Sequence, residues 1–145
     1  MLAEPAYDRW VRAMDDPGAR FADEVRRTHR RTNRLRGGSL PWPRALGTQP
    51  WALAAELPGG GRVSWVGDRG RAWTRLERAA SPVPLYVGSR RLPRHVVLVT
   101  ASDHGTLTVY EPASGGTVTV SRDDFVNGEL GVAGWDEPWF AVIPR

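Results

Sequence analysis

From Pro82 to Pro112 the chain reads PVPLYVGSRRLPRHVVLVTASDHGTLTVYEP. This is three apolar, β-branched runs in close succession, each bounded by Gly, Pro or a polar cluster. Val83 to Val87, His95 to Thr100 and Thr106 to Tyr110 are predicted strands. Three adjacent strands oblige the rest of the chain to cover a sheet. The last two are joined by Ala101-Ser102-Asp103-His104-Gly105, a polar, Gly-containing loop suited to a hairpin. His95 opens the most apolar of the three, and Glu111 follows the end of its partner. An imidazole and a carboxylate at neighbouring ends of paired strands can form a base and its orienting acid. The register that decides whether they meet is not written in the pattern.

The remainder reads as helices first and sheet afterwards. Pro5 suits the first turn of a short helix, Ala6 to Met14, with Tyr7, Trp10, Val11 and Met14 on one face. Asp15-Asp16-Pro17 starts a longer helix to about Leu35. Phe21, Val25 and Thr28 or His29 form its thin buried stripe, and its second half, Arg26 to Arg34, is densely basic. That basic run is read first as a solvated face favoured near a helix C-terminus. Its functional alternative is a patch for phosphate or an acidic peptide. After a loop with Gly37-Gly38 and Pro41-Trp42-Pro43, Thr48 is the expected cap of a helix through about Leu57, packed through Trp51, Leu53, Ala54 and Leu57. Pro58-Gly59-Gly60-Gly61 is a turn, since it lacks the Lys-Ser/Thr and following helix of a phosphate loop.

Arg62 to Val66 is a short strand, and Asp68 caps a helix from Arg69 to about Ala80 with Trp73, Leu76 and Ala80 on one side. Beyond the central strands, Thr117 to Val120 is a further strand. Ser121 starts a short helix carrying Phe125 and Val126, and Trp139 to Ile143 is a closing strand stopped by Pro144. The expected class is α+β, with N-terminal helices packed on a mostly antiparallel C-terminal sheet, in one domain spanning residues 1–145.

Composition excludes several chemistries. There is no Cys, hence no disulfide, no thiolate metal site and no thiol nucleophile. No His pair has helical ligand spacing and the carboxylates are scattered, so neither a metal nor another cofactor is expected. None of Ser39, Ser64, Ser81, Ser89, Ser102, Ser114 and Ser121 sits in a Gly-x-Ser-x-Gly elbow. All 20 basic residues are Arg, which reads as coding bias, and a net charge of +4 is modest. Without interleaved aromatics in the basic run, nucleic acid is not an expected partner. No apolar stretch approaches a membrane span, and the opening MLAEPAYDRW lacks the regions of a signal peptide. A cytoplasmic protein is expected, and its oligomeric state is not legible.

The run His95-Val-Val-Leu-Val, the Glu111-Pro112 pair sixteen residues after the His, and the downstream VSRDDF resemble papain-like cysteine peptidases. The similarity is to family thirty-nine, which includes the double-glycine leader peptidases of bacteriocin exporters. It covers Pro82 to Pro144, under half the chain. The resemblance implies a papain-like α+β fold with a helical half against a sheet and a peptide-binding cleft between them. It implies His95 as the base and Glu111, in place of the usual Asp or Asn, as its orienter. The family's nucleophile is a Cys near the start of the domain, preceded by a Gln, and this chain has no Cys.

Two explanations follow. The nucleophile helix lies upstream, with Met1-Leu2-Ala3 as its last turn, or the protein is a non-catalytic relative that still binds a peptide or protein. A third possibility from another class is an interaction module using the Arg-rich helix or Trp42, Trp51, Trp135 and Trp139. Trp51 and Trp139 are expected in the core, and Trp135, in a Gly-Trp-Asp loop, at the surface. His29 and His104 are expected to be incidental.

Overall fold

The structure is a computed structural model that describes residues 49–145, all within the compact unit Leu40–Arg145. The two predicted N-terminal helices, the basic run, His29, Ser39, Trp42 and the Thr48 cap lie outside the described residues. Six strands form one antiparallel sheet: β1 Gly61–Trp65, β2 Val83–Gly88, β3 Pro93–Asp103, β4 Thr106–Glu111, β5 Gly116–Ser121 and β6 Glu137–Pro144. Their spatial order is β1-β6-β2-β3-β4-β5. Among the described residues three helices accompany them: α1 Pro50–Glu56, α2 Arg69–Glu77 and α3 Arg122–Asn127. The architecture is α+β.

The C-terminal strand β6 inserts between β1 and β2. This makes β2 central, covered on both faces, and every residue from Val83 to Gly88 is buried. A strand buried on both sides loses its alternation, which is why VPLYVG reads as a continuous apolar run. β3 extends to Asp103, so the expected five-residue loop is a two-residue turn, His104-Gly105. Both residues have positive φ, 45° and 78°, and the mirror-image turn they form matches the right-handed twist of the flanking strands.

One face of the sheet carries Val83, Leu85 and Val87 of β2, Val97 and Val99 of β3, Leu107 and Val109 of β4, and Val120 of β5, packed on Trp73 and Leu76 of α2 and Phe125 of α3. The Trp73 and Phe125 rings meet edge to face, with centroids 5.5 Å apart, joining the two helices. The opposite face carries Tyr86, Phe140 and Val142 against Ala54 of α1. Burial pushes the Tyr86 phenol well above its ordinary range.

Both predicted caps of the later helices form. The Asp68 carboxylate accepts from the Arg71 N–H and the Ser121 hydroxyl from the Asp124 N–H. α2 stops at Glu77, short of Ala80, because the Arg78 N–H turns back to the carbonyls of Thr74 and Leu76, and Ala80 is exposed. α1 starts from Gln49 with no side-chain cap, its entry set by Pro50. Trp51 was expected in its packing face but is 60% exposed. A helix of 7 residues meets the sheet through one narrow side, here Ala54 with Leu53 and Leu57. Trp135 reverses its expectation too. It is half-buried against the main core, where a bridge to the buried Val132 holds it. Trp139 is half-buried at the second core.

Candidate functional site

The first strand of the β3–β4 hairpin brings His95 to the same end of the sheet as Glu111. Register pairs Leu98 with Tyr110 and Val99 with Val109, so one further step sets Glu111 across from Val97, two residues from His95. A diagonal pair of this kind is 7–8 Å apart at the backbone and needs a long side chain to close. Glu111 supplies it: Oε1 lies 2.8 Å from His95 Nε2. The methylene that distinguishes Glu from Asp is what spans the diagonal.

Glu111 is 6% exposed and is the buried charged residue among the described residues. Its carboxylate is held by the turn that follows β4. Oε1 also accepts from the Ala113 N–H at 2.7 Å and Oε2 from the Ser114 N–H at 2.7 Å. Hydrogen bonds from the Ser114 side chain, then the Ala113 N–H, outweigh desolvation, and His95 and the Ser114 N–H add to them, lowering the carboxyl from its ordinary 4.5 to about 2. An ionised carboxylate only accepts hydrogen bonds, so His95 Nε2 must carry the proton of this bond. In the neutral ring the lone pair then resides on Nδ1, which is free to accept a proton. The His95 side chain is 27% exposed, so the ring is partly open to solvent. A fixed tautomer and a fixed orientation are what an orienting acid gives an imidazole.

The anchoring role of Ala113 and Ser114 was not read from the sequence. The signal for it is the Glu-Pro-Ala-Ser-Gly-Gly run after a strand, a turn composition that leaves free N–H groups pointing back at the strand end. His104 lies on the exposed turn beside Asp103, away from the pair. Ser114 belongs to the turn that holds Glu111, and its hydroxyl accepts from the Gly116 N–H. Four other serines are engaged elsewhere: Ser64 accepts from Arg75, Ser89 holds a turn, Ser102 bonds the Glu77 carbonyl and Ser121 caps α3. Among the described residues, no three His, Cys, Asp or Glu side chains gather as metal ligands.

The same end of the sheet has a second feature. Gly88, where β2 ends, pairs with Pro93 and with Glu137, where β6 begins. Trp65 at the end of β1 pairs with Phe140. An open groove of about 450 Å³ lies here between Trp65, Trp139, Arg69, Arg90, Asn127 and Glu137. Among the described residues no helix is long and apolar enough to cross a membrane. Compared with family models, with curated proteins and with solved structures, the chain matches none of them.

Proposed function

We propose that this is a papain-like, cysteine-peptidase-like protein in which His95 and Glu111 are the base and orienter of a peptide-binding cleft. The observation that carries the proposal is the 2.8 Å contact between His95 Nε2 and a Glu111 carboxylate fixed by two backbone N–H groups. This anchoring leaves Nδ1 as the acceptor for a thiol proton. In a complete site a Cys thiol would give its proton to Nδ1, the Glu111 carboxylate would stabilise the resulting imidazolium, and the thiolate would attack the peptide carbonyl.

No thiol is present within the 145 residues. The proposal therefore takes two forms: a thiol outside this sequence completes the site, or the protein binds peptides without cleaving them. A cytoplasmic setting belongs to the same proposal, with fractionation of the host cell as its check. The test uses this chain and a version extended to the farthest in-frame upstream start, each treated with a thiol-reactive peptide electrophile and weighed by mass spectrometry. Labelling of the extended chain alone, lost on His95→Ala, supports a cysteine peptidase. An extension with no reactive Cys reduces the proposal to a peptide-binding pseudoenzyme. If His95→Ala leaves saturable peptide binding unchanged as well, the cleft is not where peptides bind.

A non-enzymatic interaction module is the second possibility, favoured by the 60% exposure of Trp51. The Arg-rich helix it invokes lies outside the described residues. Loss of partner binding on Arg30→Glu and Arg31→Glu, with indifference to His95→Ala, would single it out.

A further inference from the structure

We infer that the groove beside Trp65 and the β2–β3 turn form a docking site for an acidic peptide segment bearing an apolar side chain. This deepens the peptide-binding proposal above by naming the class of peptide.

The groove is a built feature. Trp65 is 60% exposed, yet its indole is fixed by edge contacts to Phe140 at 4.6 Å and Trp139 at 5.8 Å. Trp139 in turn donates its indole N–H to the Ser89 carbonyl at 2.8 Å, tying the aromatic cluster to the β2–β3 turn. The Ser89 hydroxyl accepts from the N–H groups of Arg91 and Leu92, at 3.3 and 3.2 Å, and the Ser89 N–H bonds the Leu92 carbonyl at 3.0 Å. Gly88 lets that turn close, because a Cβ there would sit 2.2 Å from the Leu92 carbonyl oxygen. An exposed indole held in one orientation presents a large apolar surface at little entropic cost on binding.

Charge selects the partner. Glu137 is only 13% exposed and is paired by Arg69, which also donates to the Val126 carbonyl at 3.0 Å. Asp68 is engaged by Arg71, and Asp136 accepts from the Gly131 N–H. With Arg69 and Glu137 balancing each other, Arg90 is in excess. Its side chain is 91% exposed, and its Nε lies 3.5 Å from Glu137. Arg91 and Arg94, on the same turn and at the start of β3, are also exposed. The surface beside the indole is therefore cationic, and a guanidinium fork matches a carboxylate. The Glu137 carboxylate at the groove wall and the single exposed ring suit a short peptide better than a nucleic-acid strand, which needs uninterrupted positive charge and repeated stacking surfaces.

Position links the groove to His95. Val87 pairs with His95 on one side and with Pro138 on the other. Two strand spacings, about 10 Å, separate β6 from β3, roughly the span of three extended residues. One peptide can thus touch both places.

The test is fluorescence anisotropy on the full chain with a fluorescein-labelled octapeptide of alternating Glu and Leu. Controls carry Lys for Glu or Ser for Leu, and a labelled oligothymidylate serves as the polyanion. The Glu-Leu peptide should bind saturably. It should weaken about tenfold or more in an Arg90→Glu, Arg91→Glu double variant and to a similar extent in Trp65→Ser. The double variant, which alters only exposed side chains, should gain affinity for the Lys-Leu peptide. Indifference to both groove variants overturns the inference, as does oligothymidylate binding more tightly through the same arginines, or no binding by any probe. Peptide binding lost only in His95→Ala overturns the groove and leaves the peptidase-like proposal standing. Groove-dependent binding by a chain whose extended form is never labelled upholds the groove and leaves only the non-cleaving form of the peptidase-like proposal.

Discussion

Glu111 reaches His95 on the diagonal between β3 and β4, Oε1 to Nε2, 2.8 Å apart, and the same oxygen accepts from the Ala113 N–H. The carboxylate is thus fixed before it orients the ring.

Acid stability should report that anchoring. The Glu111 carboxyl is lowered from 4.5 to about 2 on folding. The unfolded chain therefore binds the proton first as pH falls, and the stabilisation is complete above about pH 4.5 and lost by about pH 2. Urea unfolding midpoints followed from pH 7 to pH 2 should fall across this window in the wild type. Glu111→Gln should be less stable at pH 7 and should lose that part of the slope.

The His95 ring should be the Nε2–H tautomer when neutral. Long-range nitrogen–proton NMR spectra should place the proton on Nε2 in the wild type and show a tautomer mixture in Glu111→Ala. A dominant Nδ1–H form in the wild type would contradict the hydrogen-bond assignment.

Phe125 is fully buried and joins α3 to Trp73 of α2. Phe125→Ala should cost about 3–5 kcal/mol, the usual range for removing a buried aromatic ring. Denaturant unfolding measures it, and a loss under about 1 kcal/mol would mean that α3 is not part of the core.

Gly88→Ala should destabilise the β2–β3 turn. The added Cβ would lie 2.2 Å from the Leu92 oxygen and 2.7 Å from the Pro93 Cα, so backbone must move. A cost of about 1–3 kcal/mol is expected, with faster amide exchange at Leu92, whose N–H bonds the Ser89 hydroxyl.

Trp139→Phe keeps a ring but removes the N–H bonded to the Ser89 carbonyl. A loss of about 1 kcal/mol is expected, together with a faster-exchanging β2–β3 turn. A turn unchanged in exchange would mean that Ser89 alone holds it.

The strands were legible because β-branched runs between Gly and Pro leave few alternatives, and β2, β3, β4 and β5 lie where Val83, His95, Thr106 and Thr117 begin their runs to within two residues. The caps at Asp68 and Ser121 were legible because capping is local chemistry within four residues. Burial of the tryptophans was not. Trp51 and Trp135 exchanged their expected places because a ring's exposure depends on which surface its short element happens to meet.

The sequence by itself determined an α+β chain with a central antiparallel hairpin, a His at one strand's start, a Glu at its partner's end, and no thiol among its side chains. Tertiary structure alone decided that β6 enters between β1 and β2 and that His95 and Glu111 meet on the diagonal. It alone set Trp65, Arg90 and Glu137 along the same sheet end. The physical reason is that strand patterns fix which face a side chain takes, whereas register and strand order depend on partners far along the chain.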